Sequence, residues 1–256
     1  PAIDNQVVEF NGLKIGLTIC EDIWNDDDFW PERRYRSNPP AELAAAGAEI
    51  IFNLSASPWH LGKNQTRYEM LRSIALKTKR PVVFCNQVGG NDELIFDGGS
   101  MAFNAAGQLI AQGKLFADDL VIVDTATNAV IDPQKTVDEE LIYNALVLGI
   151  RDYMHKCGFK SAVLGLSGGI DSALVACLAV AALGKENVTG ISLPSQYSSQ
   201  GSLDDAAMLA RNLDIRHDVI AIKPVFEQCK HQLKGLFAGR SEDVTEENLQ
   251  ARIRGT

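Results

Sequence analysis

The stretch Gly165-Leu-Ser-Gly-Gly-Ile-Asp-Ser172 holds the side chains of this chain that are best suited to chemistry. Two adjacent glycines, two hydroxyls and a carboxylate lie between a short apolar segment and a long one. A glycine-rich turn at a helix N-terminus directs several backbone N–H groups at one point, and the helix dipole favours negative charge there. The stretch is therefore predicted to bind phosphate.

This pattern differs from two other phosphate-binding loops. No Lys-Ser/Thr pair closes it, as a Walker A loop requires, and its glycines lack the G-x-G-x-x-G spacing. An ordinary strand-to-helix turn with Asp171 as the N-cap is the alternative. Ser-Gly-Gly-x-Asp-Ser after a strand resembles the PP-loop of ATP pyrophosphatases, which cleave ATP between its α and β phosphates and adenylylate a substrate.

The PP-loop resemblance implies a role for each residue of the stretch. The hydroxyls of Ser167 and Ser172 would donate to phosphate oxygens, and Asp171 would hold Mg²⁺, which prefers carboxylate and phosphate oxygens. The segment 193–199, Leu-Pro-Ser-Gln-Tyr-Ser-Ser, would lie near adenine; a serine-rich loop is the alternative. The implied ATP-binding residues are Gly165, Leu166, Ser167, Gly168, Gly169, Ile170, Asp171 and Ser172.

A second candidate is Cys20, which ends an apolar segment and precedes Glu-Asp-Ile-Trp. A side chain at a sharp strand-to-helix turn can be exposed as a nucleophile, although a thiol also needs a neighbouring base or cation. The alternative is a small buried residue that closes a strand. Three adjacent acidic residues, 26–28, are interpreted as a solvated turn because they lack the spacing of a calcium loop.

The residues around Cys20, together with the segment 47–58, resemble the nitrilase-type amidohydrolases. That family uses a Glu, Lys and Cys triad, so the resemblance implies that Cys20 attacks an amide carbonyl. The Glu and Lys of the triad are expected upstream of this sequence. Ser57 and Lys63 would bind glutamine, with Arg67 as a possible assistant; solvated loop and helix positions are the alternative for Lys63 and Arg67.

Elements predicted from periodicity place these residues at strand ends. Before residue 125, strands alternate with helices, and residues 125–137 read as a linker. A helix is predicted over 138–156, followed by the alternation of a parallel sheet whose ligands bind at the strand carboxyl ends. Predicted strands include 13–19, 49–54, 81–86, 120–124, 161–164, 187–193 and 217–222, and predicted helices include 41–46, 65–79, 172–183 and 202–213.

Composition narrows the classes of protein. The 256 residues are 46% hydrophobic and 22% charged, with a formal net charge of −9, which argues against a broad nucleic-acid-binding surface. The five cysteines form no C-x-x-C pair, which predicts neither a zinc site nor a redox pair and fits reduced thiols in a cytoplasm. The apolar run 173–183 is too short to cross a bilayer. We expect no nucleic-acid or membrane partner.

Both signatures in this order resemble the glutamine-dependent NAD⁺ synthetases. The segments 145–153, 166–176, 193–199 and 247–252 carry the further likeness. The resemblance implies a partial αββα nitrilase-like sandwich over 1–124 (the C-terminal part of a glutaminase domain), the linker 125–137, and over 138–256 the N-terminal part of a doubly wound parallel-sheet domain of the adenine nucleotide α hydrolase type.

The same resemblance implies the reaction. ATP and deamido-NAD⁺ would give an adenylylated intermediate and pyrophosphate, and ammonia from glutamine would then displace AMP. Asn248 would contact deamido-NAD⁺, with Arg252 and Arg254 as weaker nucleotide contacts. A homo-oligomer is expected. The chain is expected to be a fragment, cut at both ends and incomplete as a synthetase. The alternatives are another adenylylating PP-loop enzyme and a non-catalytic binding module.

Overall fold

The computed structural model describes residues 5–25, 36–127, 129–196, 198–239, 241 and 243–255. The chain forms two compact units, Pro1–Tyr153 and Met154–Thr256. Each unit has its own sheet and its own apolar core. The predicted acidic turn at residues 26–28 lies outside the described residues.

The first unit contains a mixed six-stranded sheet in the order β1-β2-β3-β4-β7-β8 and a separate β5-β6 hairpin. The strands β2, β3 and β4 are parallel, as the alternation of strands and helices predicts. The described elements are β1 (Val7–Phe10), β2 (Leu13–Ile19), α1 (Pro39–Ala45), β3 (Ile50–Ser55), α2 (Lys63–Thr78), β4 (Val82–Asn86), β5 (Val88–Asn91), β6 (Leu94–Asp97), β7 (Met101–Phe103), β8 (Leu109–Gln112) and α3 (Asp138–Lys156).

Helices cover one face of the six-stranded sheet. Met70, Leu71 and Ile74 of α2 pack into the core beneath the strands. The opposite face carries half-exposed apolar side chains, such as Leu17 and Leu54. This helix-covered sheet is one half of the αββα sandwich, which confirms the predicted fold class of this unit.

The helix α3 matches its predicted bounds, and its residues up to Tyr153 belong to the first unit. Leu141, Ala145 and Leu148 form a buried cluster with Phe116. The Asp152 carboxylate also accepts a hydrogen bond of 2.8 Å from the Gly90 N–H of β5. The compact units meet after Tyr153, whereas the sequence predicts a linker at 125–137. Compactness does not test where a linker joins two domains, so the predicted domain ranges stay a prediction.

The strand predicted over residues 120–124 is wrong. Among the described residues, this segment pairs with no strand, and the side chains of Leu120 and Ile122 are about nine-tenths exposed. Another part of the chain lies beside β8 instead, since the Ile131 N–H donates to the Leu109 carbonyl at 3.0 Å. The apolar run at 120–123 favours a strand by propensity, but context overrides that propensity where the segment pairs with no strand.

The second unit is a parallel sheet in the order β11-β10-β9, in agreement with the predicted parallel α/β class. The helices α4 and α5 enclose its core with residues such as Ala176 and Ala206. The helix α5 begins two residues earlier than predicted because Ser199 is its N-cap, and the Ser199 side chain accepts a hydrogen bond from the Ser202 N–H. The described elements are β9 (Ala162–Gly165), α4 (Ile170–Leu183), β10 (Val188–Ser192), α5 (Gln200–Leu213), β11 (Arg216–Val219), α6 (Lys223–Leu233) and α7 (Val244–Gly255).

Candidate functional site

Cys20 lies in a sharp turn at the carboxyl end of β2. It begins a short 3₁₀ turn, Cys20–Ile23, and has a φ of 46°, a left-handed conformation that residues with a Cβ seldom adopt. Such strain persists only where the surroundings enforce it, and it is concentrated at functional sites. The thiol is partly exposed, so the alternative of a buried strand-closing cysteine does not describe it.

Hydrogen-bonded polar side chains of β2 and β3 support this turn. The Asn53 amide donates to the Thr18 hydroxyl at 3.0 Å and to the Cys20 carbonyl at 3.4 Å. The Ser55 hydroxyl in turn donates to the Asn53 side-chain oxygen at 2.6 Å. The Ile19 N–H donates to the Asp22 carboxylate at 2.8 Å across the turn. These bonds fix the backbone that presents the thiol.

The loop at residues 55–58, named here the Ser57 loop, lies beside Cys20. The Cys20 Sγ is 4.0 Å from the Ala56 carbonyl oxygen. Ser57 is buried, and its N–H donates to the Asn86 side-chain oxygen at 3.0 Å. The structure therefore places the predicted nucleophile and the loop that carries the predicted glutamine contact at one sheet edge.

Arg67 is buried, which makes its interpretation as a solvated helix residue wrong. Its guanidinium donates to both oxygens of the Asp97 carboxylate, at 2.6 and 2.8 Å, and both residues have no exposed surface. Burial raises the pKa of the Asp97 carboxyl, and the Arg67 charge and hydrogen bond oppose this rise. Arg67 is thus part of the interior of the first unit.

Lys63 begins α2 after the left-handed Gly62. Its ammonium lies 4.0 Å from the centre of the Trp24 ring, at cation–π distance. Its side chain is partly buried rather than fully solvated. The contact holds the ammonium beside the Trp24 ring.

In the second unit, the glycine-rich loop connects β9 to α4. Gly169 is the N-cap of α4, so the alternative with Asp171 as the cap is wrong. The Ser167 N–H donates to the Ser172 hydroxyl at 3.2 Å, and that hydroxyl donates to the Gly169 carbonyl at 2.9 Å. The two hydroxyls brace the loop, and the first-turn amides of α4 have no acceptor within the helix.

Gly168 is required at its position for two reasons. Its φ is 81°, and a Cβ added there would lie 2.7 Å from the Ser202 Cα and even closer to the Ser202 carbonyl oxygen. The loop thus packs directly on the backbone at the start of α5. A side chain at this position would push the loop away from its neighbour.

A cavity of about 530 Å³ opens beside this loop, at the carboxyl ends of β9 and β10. Ligands bind at this edge in parallel α/β sheets. Among the described residues that line it, Arg254 carries the only charged side chain, and its Nε donates to the Leu193 carbonyl at 3.3 Å. The predicted adenine segment supplies Leu193, Pro194, Ser195, Ser198 and Ser199 to the cavity wall.

Asn248 lies elsewhere in the second unit. It lines a separate cavity of about 680 Å³ between α6 and α7, together with Arg252. The structure therefore brings Arg254, but neither Asn248 nor Arg252, to the wall of the cavity beside the glycine-rich loop. The role predicted for Asn248 stays a prediction.

Several site residues have no local sequence signal. The buried Asn86 and Asp97 reach the Ser57 loop only through the fold. In the second unit, the Ser192 hydroxyl donates to the Leu166 carbonyl at 3.0 Å and so must accept from His217 Nε2, 2.8 Å away. The Gln250 side-chain oxygen is buried with no hydrogen-bond partner among the described residues, and Gln250 lines the loop cavity.

Comparisons with known proteins agree with these two sites. A carbon-nitrogen hydrolase model matches residues 3–132, and an NAD synthase model matches residues 142–256. The chain is 47% identical over 252 residues to the glutamine-dependent NAD(+) synthetase of Synechocystis sp.. This alignment covers 96% of this chain and 45% of that protein. The relative from Thermotoga maritima is 42% identical and covers 100% of this chain and 49% of that protein.

A solved structure shows the same likeness. The glutamine-dependent NAD⁺ synthetase from Acinetobacter baumannii, in complex with ADP, matches with a TM-score of 0.88 and 37% identity. The match covers 99% of this chain and 47% of that chain. The chain thus carries a carbon-nitrogen hydrolase domain followed by an NAD synthase domain.

It belongs to the family of glutamine-dependent NAD(+) synthetases. It spans about half the length of the curated relatives that it matches.

Proposed function

We propose that this chain is part of an enzyme that converts deamido-NAD⁺ to NAD⁺ with ATP and ammonia released from glutamine. The observation that carries the proposal is the presence, in one chain, of a strained and partly exposed thiol and a glycine-rich loop beside a cavity. The family of the chain supports the pairing of these two chemistries.

In the first unit, Cys20 would be the catalytic nucleophile. Its thiolate attacks the side-chain carbonyl of glutamine, the C–N bond breaks, and ammonia leaves with a proton as a thioester forms. Water then cleaves the thioester to glutamate and restores the thiol. Ser57 and Lys63 would bind glutamine, and the Lys63 ammonium would attract its α-carboxylate.

In the second unit, the glycine-rich loop from Gly165 to Ser172 would hold the phosphates of ATP, chiefly through the first-turn amides of α4, because the Leu166, Ser167 and Gly169 N–H groups donate within the protein. The nicotinate carboxylate attacks the α-phosphorus, pyrophosphate leaves, and ammonia then displaces AMP to form the amide. The ADP complex of the A. baumannii relative supports an adenine nucleotide as the ligand. Asn248 would contact deamido-NAD⁺, and Arg254 lies at the edge of the ATP cavity.

Mg²⁺ fits this proposal with Asp171 as its protein ligand. Among the described residues, no group of three or more His, Cys, Asp or Glu side chains forms a metal cage. One exposed carboxylate beside a phosphate loop is nonetheless what Mg²⁺ uses when substrate phosphates and water complete its coordination. Bound there, the ion would neutralise charge on the leaving pyrophosphate.

We also propose that the protein is cytoplasmic and homo-oligomeric. All five cysteines are free, which supports a reducing compartment. Among the described residues, no helix has the length and apolarity that a membrane span needs.

The test compares two nitrogen sources in the intact gene product that contains this sequence. We expect Cys20→Ala to abolish NAD⁺ formation from glutamine and to leave formation from ammonium salts unchanged, because only the first reaction needs the thiol. Asp171→Asn should reduce both reactions. NAD⁺ is measured by an enzyme-coupled absorbance assay.

Cys85→Ala is the matched control, since Cys85 is an exposed thiol in the same unit. It should leave both reactions intact. Loss of ammonium-driven synthesis in Cys20→Ala would contradict the proposed division of labour between the two units.

A further inference from the structure

The buried pair Arg67–Asp97 is costly for the first unit to maintain. Both residues have no exposed surface, and the guanidinium binds the carboxylate with two hydrogen bonds. Removing two charges from water often costs as much as their attraction returns, and apolar replacements of such pairs can be neutral or stabilising. Stability alone is therefore a weak reason for this pair.

The remaining donors of Arg67 are directed at the Ser57 loop. Its Nη2 donates to the Ser57 carbonyl at 2.7 Å and to the Pro58 carbonyl at 3.5 Å. Its Nε donates to the Ser57 hydroxyl at 3.3 Å. The planar guanidinium thus clamps the loop and the Asp97 carboxylate at the same time.

Asn86 binds Ser57 as well. Its side-chain oxygen accepts the Ser57 N–H at 3.0 Å, and its side-chain nitrogen donates to Asp97 at 3.3 Å. The N–H, the carbonyl and the hydroxyl of Ser57 are therefore all bound by side chains that are themselves anchored on Asp97.

This clamp ends beside the thiol. Ala56 directly precedes Ser57, and its carbonyl oxygen lies 4.0 Å from Cys20 Sγ. A small displacement of a group that orients a reacting substrate can cost about 10²-fold in rate, so the position of this loop matters for chemistry at Cys20. The clamp therefore binds the residue that directly follows the carbonyl beside the thiol.

We propose that Arg67 and Asp97 are positioning residues that hold the Ser57 loop against Cys20 and thereby set the affinity of the site for an amide substrate. This inference rests on the proposed function, which makes Cys20 the nucleophile and Ser57 a glutamine contact. Neither Arg67 nor Asp97 touches the substrate; each acts through Ser57.

The experiment uses Arg67→Lys in the intact gene product. Lysine keeps the positive charge beside Asp97 but lacks the fork that reaches Ser57 and Pro58 simultaneously. We expect the KM for glutamine to rise by about tenfold or more, while ammonium-driven NAD⁺ formation stays within about twofold of the parent. Arg72→Lys, an exposed position on the same helix, is the matched control and should change neither value.

A second variant tests the clamp while keeping both charges of the ion pair, although it also removes the Asn86 hydrogen bond to Asp97. Asn86→Ala removes the acceptor of the Ser57 N–H, and it should raise the KM for glutamine in the same direction as Arg67→Lys. If the tryptophan fluorescence of Arg67→Lys shows that this variant is unfolded, the KM of Asn86→Ala for glutamine decides whether the clamp positions the Ser57 loop. An unchanged KM for glutamine in a folded clamp variant would overturn the inference.

Covalent labelling separates this inference from the proposed function. A diazoketone analogue of glutamine alkylates a thiol only after binding, with loss of N₂ as the carbon–sulfur bond forms. If Cys20 of the parent protein is not labelled, as judged by peptide mass spectrometry, the proposed function fails. If the parent and Arg67→Lys are labelled at equal rates, the function stands and the positioning role is refuted.

Discussion

The two candidate sites are built in opposite ways. The turn at Cys20 and the Ser57 loop beside it are supported by buried side chains from distant parts of the first unit, Asn53 for the turn and Arg67 for the loop. The glycine-rich loop of the second unit is braced by two of its own hydroxyls, Ser167 and Ser172. Covalent chemistry needs one atom held in place, whereas phosphate binding needs only an array of backbone amides.

This difference has consequences for how each site responds to substitution. The support of the turn and the Ser57 loop is buried and includes a charged pair, so a change there disturbs the interior of the unit. The support of the glycine-rich loop is local, so a change there should alter ligand binding more than folding.

The largest effect is expected for Asp97→Ala. The substitution leaves the Arg67 guanidinium buried without its carboxylate, which should lower the free energy of unfolding of the first unit by about 3–5 kcal/mol. All three tryptophans of the chain, at positions 24, 30 and 59, lie before residue 154. Urea unfolding followed by tryptophan fluorescence therefore reports on this unit.

The control for Asp97→Ala is Glu93→Ala, at an exposed position in the turn of the same hairpin. It removes the same charge and should shift the unfolding free energy by no more than about 0.5 kcal/mol. Equal losses in the two variants would show that the buried pair has no special role in this unit.

An intermediate effect is expected for Gly168→Ala. A Cβ at this position meets the Ser202 backbone, and the left-handed φ adds strain, so the loop should shift and its affinity for ATP should fall by about tenfold or more. Isothermal titration of the 256-residue chain with ATP and Mg²⁺ measures the change.

Gly158→Ala is a matched control for the backbone strain. Gly158 has a φ of 76°, close to that of Gly168, but a Cβ added there meets nothing within 4 Å. Its ATP affinity should equal that of the parent chain. A similar loss of affinity in both variants would mean that strain anywhere in the unit, rather than the shape of the loop, controls binding.

The contrast between the sites also explains what the sequence could predict. The glycine-rich loop, its strand and its helix follow each other along the chain, so their types and spacing are visible in a short window. Local patterns also predicted α3 with its observed bounds. Sequence reasoning placed Cys20 at a sharp turn, and its positive φ is consistent with that placement.

Features that depend on distant residues were missed. Arg67 and Asp97 are thirty positions apart in the chain, and neither carries a periodic or turn signal that marks burial. An arginine near the start of a helix is ordinarily solvated, and only the fold shows the carboxylate that receives it. The segment 120–124 failed for the same reason, because strand formation depends on context as well as on propensity.

The smallest effect is expected at the exposed ion pair of the second unit, which sharpens the comparison with Arg67–Asp97. The Lys185 ammonium donates to the Asp214 carboxylate at 2.5 Å, and both side chains are solvent-exposed. This hydrogen bond, and then the opposite charge, lowers the pKa of Asp214 and raises that of Lys185. Exposed pairs contribute little because water and salt screen them.

Asp214→Asn isolates that charge, because Asp214 has a φ of 54° and asparagine tolerates the same left-handed conformation. We expect the melting temperature of the chain, measured by scanning calorimetry, to fall by no more than about 2 °C. Because folding lowers the pKa of Asp214, its carboxylate stabilises the folded chain above the ordinary pKa of 3.8. That stabilisation is lost as the pH falls through the pKa of Asp214 in the folded chain. Because folding raises the pKa of Lys185, its ammonium stabilises the folded chain fully below the ordinary pKa of 10.5. That stabilisation is lost as the pH rises through the pKa of Lys185 in the folded chain. The difference between the parent and Asp214→Asn should therefore be constant near neutral pH, shrink below the ordinary pKa of the carboxyl, and decrease in high salt. A destabilisation as large as that of Asp97→Ala would show that burial is not what separates the two ion pairs.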